Sequence, residues 1–212
     1  MKKIIKGSEP RTLTNHRNSK HSDYNNYADK KGLRESLVRD QRGICCYCMG
    51  RIEATEAKMK IEHFLCQSLH PDKELEYNNL FGACLGNMKA DAETHCDTFK
   101  GNKDFHFHMC SSGSIHSEIE YKSDGEIFSN NETLNKELNN VLNLNFTELK
   151  KIRKSTLTGF IDFYLKGLTG KLNKEKLVRY RDKWAGNSHV DQLQPYCMIV
   201  VYYLDKKIAT YK

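Results

Sequence analysis

The sequence predicts an α+β fold. Its centre is a small zinc-stabilised module of two strands and a short helix, with a helix before it and a β-hairpin and helical region after it. Three observations carry that reading. Four cysteines, Cys45 and Cys48 as C-x-x-C and then Cys84 and Cys96, frame one stretch. Such a knuckle turns two thiolates toward one ion, and a distant pair completes a tetrahedron with Zn–S distances of about 2.3 Å. Glu118–Ser129 (EIEYKSDGEIFS) alternates about Asp124-Gly125, a hairpin signature. From Asn131 onward the apolar period becomes helical.

Taken in order, residues 1–25 are polar and read as a mostly extended arm. Residues 26–110 form the zinc-containing domain. Within it, Tyr27–Gln41 reads as a helix, since Leu33 and Leu37 share a face and Gly43 suits the position after its end. Ile44–Glu53 reads as knuckle and strand, and Met59–Phe64 as the second strand. Residues 65–78 form a loop punctuated by Pro71, and Asp97–Lys103 is the short helix. Phe105–Met109 alternates and reads as extended. Residues 111–212 hold the hairpin and the helical region, a candidate partner- or substrate-binding unit. Its second helix, Phe146–Leu165, is expected to turn Leu149, Ile152, Leu157, Phe160, Ile161 and Phe163 inward. Asn173–Ala185 follows with Asn173 as N-cap, and Pro195–Lys207 is nearly all apolar at Met198–Leu204.

Composition limits the partners. The 212 residues carry 34 Lys+Arg against 27 Asp+Glu, a net charge of +7 that favours an anionic partner, most often nucleic acid. No secretory h-region follows MKKIIKGSEP, and no window approaches the ~18 apolar residues of a membrane span. A cytoplasmic protein without a membrane partner is expected. In that compartment eight cysteines read as metal ligands or buried thiols, not disulfides. Cys46 is the rival zinc ligand, and Cys66, Cys110 and Cys197 read as small buried hydrophobes.

Between the cysteine pairs lie Glu62-His63, Asn79-Leu80, Asp97 and Lys100-Gly101. At these residues the chain resembles the HNH (ββα-metal) endonucleases that carry a structural zinc. Lys6–Pro10 (KGSEP) and Tyr27–Cys48 (YADKKGLRESLVRDQRGICCYC) look like the HNH nuclease subunits of Septu antiphage systems, also found beside some retrons. The resemblance covers about the first half of the chain. Two departures stand out: eleven residues separate Cys84 from Cys96, and the last metal position is Asp97 where His is usual, with His95 close by.

The resemblance implies a metal-dependent phosphodiester hydrolase. His63 is its general base, because an imidazole of pKa about 6.5 can take a proton from water near neutral pH. Glu62 and Asp97 offer oxygen ligands to a catalytic Mg²⁺ or Mn²⁺, which would stabilise the leaving oxygen, with His95 a possible further ligand. Asn79 braces the loop beside His63, and Lys100 reaches a substrate phosphate. A regular strand would put Glu62 and His63 on opposite faces. The implied partners are nucleic acid, DNA ahead of transfer RNA, and an ABC-type ATPase of the defence system. The chain has no G-x-x-x-x-G-K-[ST] loop of its own.

The competing readings are a non-catalytic zinc-stabilised nucleic-acid-binding module and an adaptor for the ATPase. His106, His108 and His116 form a second histidine patch with no accompanying carboxylate, which reads as exposed or structural. Lys150, Lys151, Arg153, Lys154, Lys171, Lys174, Lys176, Arg179, Arg181 and Lys183 crowd the C-terminal helices, interleaved with Tyr180 and Trp184. They read equally as a nucleic-acid track with stacking or as a solvated face.

Overall fold

The computed structural model describes residues 1–88, 93–110, 115–166, 172–187 and 192–211, with only the backbone at 115 and 116. The fold is mixed helix and sheet, as the sequence predicts. Its first sheet pairs β1 (Lys60–His63) antiparallel with β2 (Leu80–Ala83), in register from Lys60 opposite Ala83 to His63 opposite Leu80. This corrects the expected strand pair. Ile44–Glu53 supplies no strand, only the single bridge between Ile44 and Arg51 that closes the knuckle. Its residues are consumed by the turn: Cys45 N–H donates to Gly50 O and Met49 takes a positive φ of 65°. β2 escapes sequence reading because it is a four-residue run buried on both faces, with no alternation to mark it.

The N-terminal residues are not an extended arm. Residues 11–17 form α1 (Arg11–Arg17), and Met1, Ile4 and Leu13 are buried in the core. α2 (Lys30–Asp40) starts at Asp29, whose carboxylate accepts from Gly32 N–H, and buries Leu33 and Leu37. Gln41 ties its end to the sheet. Its side chain donates to Ile44 O and Gly82 O and accepts from Gly82 N–H. The loop between β1 and β2 contains two single 3₁₀ turns, Pro71–Lys73 and Tyr77–Asn79. α3 (Asp97–Lys100) is the short helix of the module. Phe105–Met109 pairs with no strand. Phe105 and Met109 are buried, and the Phe105 ring lies edge-on to Tyr47 and Phe64.

The second half begins with a short helical turn, α4 (Ile115–Glu118). The expected hairpin follows, β3 (Ile119–Tyr121) with β4 (Ile127–Ser129). Helices α5 (Glu132–Asn140), α6 (Thr147–Phe160), α7 (Lys174–Ala185) and α8 (Cys197–Ala209) come next, and α7 is capped by Asn173 as expected. α6 continues into wider π turns over Ile161–Lys166. Its inward stripe is Leu149, Arg153, Leu157 and Phe160, while Ile152 (41%) and Phe163 (76%) are exposed. Buried Arg153 reverses the expectation of a surface cation. The hairpin turn packs on α6 at this point. Gly125 has φ 92° and a Cβ there would meet Lys150 O at 2.1 Å, so glycine is required. The backbone carbonyls left in this contact need donors. Arg153 supplies them, to Gly125 O and Leu144 O at 2.6 Å each.

One apolar core runs from Met1 to Leu204. Backbone bonds cross from the C-terminal half to the cysteine knuckle: Tyr196 N–H to Met49 O at 2.9 Å, Leu193 N–H to Arg42 O at 2.9 Å, and Cys96 N–H to Leu142 O at 2.9 Å. Among the described residues no helix is long and apolar enough to cross a membrane. Arg153→Met keeps bulk but leaves two buried carbonyls without donors, each worth about 1–3 kcal/mol. The expected outcome in a denaturant titration is a loss of roughly 2–6 kcal/mol at unchanged slope.

Candidate functional site

Cys45 and Cys48 come from the knuckle, Cys84 from the end of β2 and Cys96 from the residue before α3. Their sulfurs all lie within 4.8 Å of one another. Cys48 and Cys84 are 3.6 Å apart, and Cys45 and Cys96 are 4.0 Å apart. The edge of a tetrahedron with Zn–S of about 2.3 Å is about 3.8 Å, so the spacing fits one ion. The donor set fits as well. Four thiols this close, three of them buried and Cys84 half-buried, cannot all ionise without a cation, and binding one releases their protons. These cysteines can hold a metal such as zinc. Gly50 N–H donates to Cys48 Sγ at 3.3 Å, fixing the orientation of that ligand. The eleven-residue gap is closed locally, by His95 N–H to Gly86 O and by the positive φ of 56° at Cys96. Cys46 is buried but lies outside the cluster, and its N–H is spent on Gly82 O.

His95 belongs to this side of the molecule. Its Nδ1 lies 3.1 Å from Cys96 Sγ and 3.9 Å from Cys84 Sγ, and its ring stacks on Phe146. It neighbours the sulfur cluster and does not join Asp97, which corrects the suggestion that it is a catalytic ligand. The reason is the turn at Cys96, which separates residue 95 from the α3 face.

Glu62, His63 and Asp97 border one open cleft of about 390 Å³, together with Cys66 and Asn102. Strand alternation does not separate Glu62 from His63, because β1 ends at His63. Asn79 holds that ending. Its backbone carbonyl accepts from Phe64 N–H, its Oδ1 accepts from Leu65 N–H at 2.7 Å, and its Nδ2 donates to Leu65 O and Lys73 O. His63 Nε2 lies 3.1 Å from Glu74 O, and the ring meets the edge of Tyr24 at 4.4 Å. A carbonyl accepts only, so Nε2 carries the proton and Nδ1 keeps its lone pair. Burial lowers the His63 pKa to about 4, so the ring is neutral near pH 7.

Glu62 is 2% exposed. It accepts from Tyr47 O–H at 2.7 Å and pairs with Lys100 at 3.1 Å. Burial first, and then the nearby Asp97 carboxylate, push its pKa well above the ordinary range. Asp97 pairs with Lys60 at 3.5 Å. Lys100 is therefore not placed as the phosphate contact that was expected of it. It is 1% exposed, its ammonium answers Glu62, and it lies 3.4 Å from His63 O. Charge balance explains the difference, since a buried carboxylate needs a buried cation. Tyr24, Tyr47 and Lys60 were missed by sequence reasoning. Tyr47 sits in the cysteine knuckle with no signal of its own, and Tyr24 arrives from the misread N-terminal residues.

The histidine patch does not converge. His106 pairs with Glu137, while His108 lies against Phe64 and Phe81 and contacts Asn78 O. The side chain of His116, like Lys171, lies outside the described residues. Compared with models of known protein families and with curated proteins, the chain finds no match.

Cys48→Ser and Cys96→Ser each remove one ligand from a site whose binding energy is folding energy. Elemental analysis of the purified chain is expected to give about one thiolate-bound ion, zinc by donor type, and each variant is expected to be metal-depleted or insoluble.

Proposed function

We propose that the chain is a metal-dependent endonuclease of the HNH type that hydrolyses phosphodiester bonds of nucleic acid. The observation that carries this reading is the shared cleft. A neutral histidine with a free lone pair lies beside two carboxylates, and all three rest on elements pinned by the cysteine cluster and by Asn79. His63 takes the proton of an attacking water at Nδ1. The Nε2–H to Glu74 O bond holds the ring in the tautomer this requires and helps disperse the charge that develops. Glu62 and Asp97 are the residues that would hold Mg²⁺ or Mn²⁺, a hard ion suited to carboxylate oxygens. Such an ion supplies Lewis-acid stabilisation of the leaving oxygen. The donor chemistry fits, because two carboxylates border one cleft, where burial and then the neighbouring Asp97 hold the Glu62 pKa up. Lys60 and Lys100 balance their charge, so cation binding competes with these ion pairs. Asn79 acts through the backbone that aims His63.

The net positive charge and the motif frame favour nucleic acid, with DNA ahead of transfer RNA. The likeness at Lys6–Pro10 and Tyr27–Cys48 extends the proposal to an effector subunit that works with an ABC-type ATPase in phage defence. Co-purification of the two proteins tests that extension.

The main test uses labelled DNA and RNA pools with Mg²⁺ or Mn²⁺. His63→Ala is expected to cut roughly 10²–10⁴-fold more slowly, the usual scale for one acid–base group, with thiolate-bound metal and fold retained. Cleavage by this variant at the parental rate overturns the assignment. Glu62→Ala and Asp97→Ala are expected to be inactive, with partial recovery at high Mn²⁺ that His63→Ala does not share. Equal recovery of all three would remove the distinction between ligand and base.

A further inference from the structure

The basic helices face solvent around an aromatic cluster that the cleft does not use. Phe160 packs edge-on against Tyr180 and Trp184, and Tyr164 lies 5.3 Å from Tyr180. Phe163 extends this cluster outward. Its ring is 4.9 Å from Tyr164, yet the residue is 76% exposed. It lies in the π turns over Ile161–Lys166, on the side of the helix that also exposes Ile152. π turns are found frequently at functional sites.

Charge is concentrated around the same ring cluster. Apart from buried Arg153, Thr147–Lys166 and Lys174–Ala185 carry nine Lys and Arg against four Asp and Glu, so these two segments supply most of the chain's net +7. Lys176, Arg179 and Lys183 recur at helical spacing beside Tyr180, and among the described residues none of the three is in an ion pair. Lys183 sits over the Tyr164 ring at 5.7 Å. Exposed aromatic faces flanked by unpaired cations match bases and phosphates of a flexible strand. A duplex keeps its bases stacked inside and offers no face to Phe163.

We propose that the α6–α7 surface is a single-stranded nucleic-acid site. A base stacks on Phe163 at its centre, and Lys176, Arg179 and Lys183 hold the phosphates. The site deepens the nuclease reading by naming a strand state for its substrate, but its test needs no cleavage. Fluorescence anisotropy of the full chain, carried on a His63→Ala background, is measured with labelled 20-nucleotide single strands of DNA and RNA and with a duplex. Phe163→Ala is expected to weaken single-strand binding by about 5–150-fold, the range for removing one stacked base, and to leave duplex binding unchanged. Lys176→Glu/Arg179→Glu/Lys183→Glu is expected to weaken it further and to flatten the salt dependence by about 0.7 for each phosphate that is no longer neutralised. Circular dichroism shows whether the surface variants remain folded. Tight single-strand binding that both variants retain overturns the proposal, as does preference for duplex or the absence of parental binding. In those cases a protein partner becomes the better occupant of the aromatic patch. Loss of cleavage by His63→Ala with intact strand binding separates this site from the cleft.

Discussion

Four sulfurs within 4.8 Å of one another are the constraint on which the rest depends. Cys45 and Cys48 close the knuckle after α2, Cys84 follows β2 and Cys96 precedes α3. A single ion joining them would fix three segments that have little regular structure of their own. The sheet between them has only four residues per strand. Two such strands are not stable alone in water, so tertiary fixation has to come from elsewhere. An ion held by the four sulfurs would tie the segment after β2 to the knuckle and to α3, and Gln41 links the middle of the sheet to α2.

That fixation has a consequence for the cleft. Glu62 and His63 ride on β1, and Asp97 follows directly after the ligand Cys96. The sulfur cluster and the cleft thus share elements while keeping separate side-chain chemistries, thiols on one side and carboxyl groups on the other. The C-terminal half is part of this arrangement. Leu142 O receives the N–H of Cys96, and Met49 O receives the N–H of Tyr196. A cut near Ser129 would therefore strip the core from around the metal ligands, and loss of a binding partner on truncation would not by itself locate a docking surface.

The four-cysteine cluster was legible because thiol-bearing residues and their spacing are written in residue types. The Asn79 brace and the hairpin about Asp124-Gly125 were legible for similar reasons, since both rest on local chemistry. The failures share a cause, which is dependence on distant contacts. β2 has no period to read because both faces are buried. Lys100 and Arg153 look like surface cations by type, yet one answers a buried carboxylate and the other supplies donors to carbonyls trapped under the hairpin. Phe163 was expected inside because of its residue type, but it continues the face of Ile152, which is exposed as well. The N-terminal residues look like a free arm by composition, but Met1, Ile4 and Leu13 fill the core.

The role of the sulfur cluster is tested most directly by metal removal and replacement under reducing conditions. The chain is stripped of metal, then titrated with Co²⁺ while visible absorption and near-ultraviolet circular dichroism are followed together. The expected result is a thiolate-bound tetrahedral cobalt spectrum that saturates at about one ion per chain, with tertiary signal returning in step. A stripped chain that keeps its full tertiary signal would contradict the structural role of the cluster, as would cobalt bound without the thiolate charge-transfer bands.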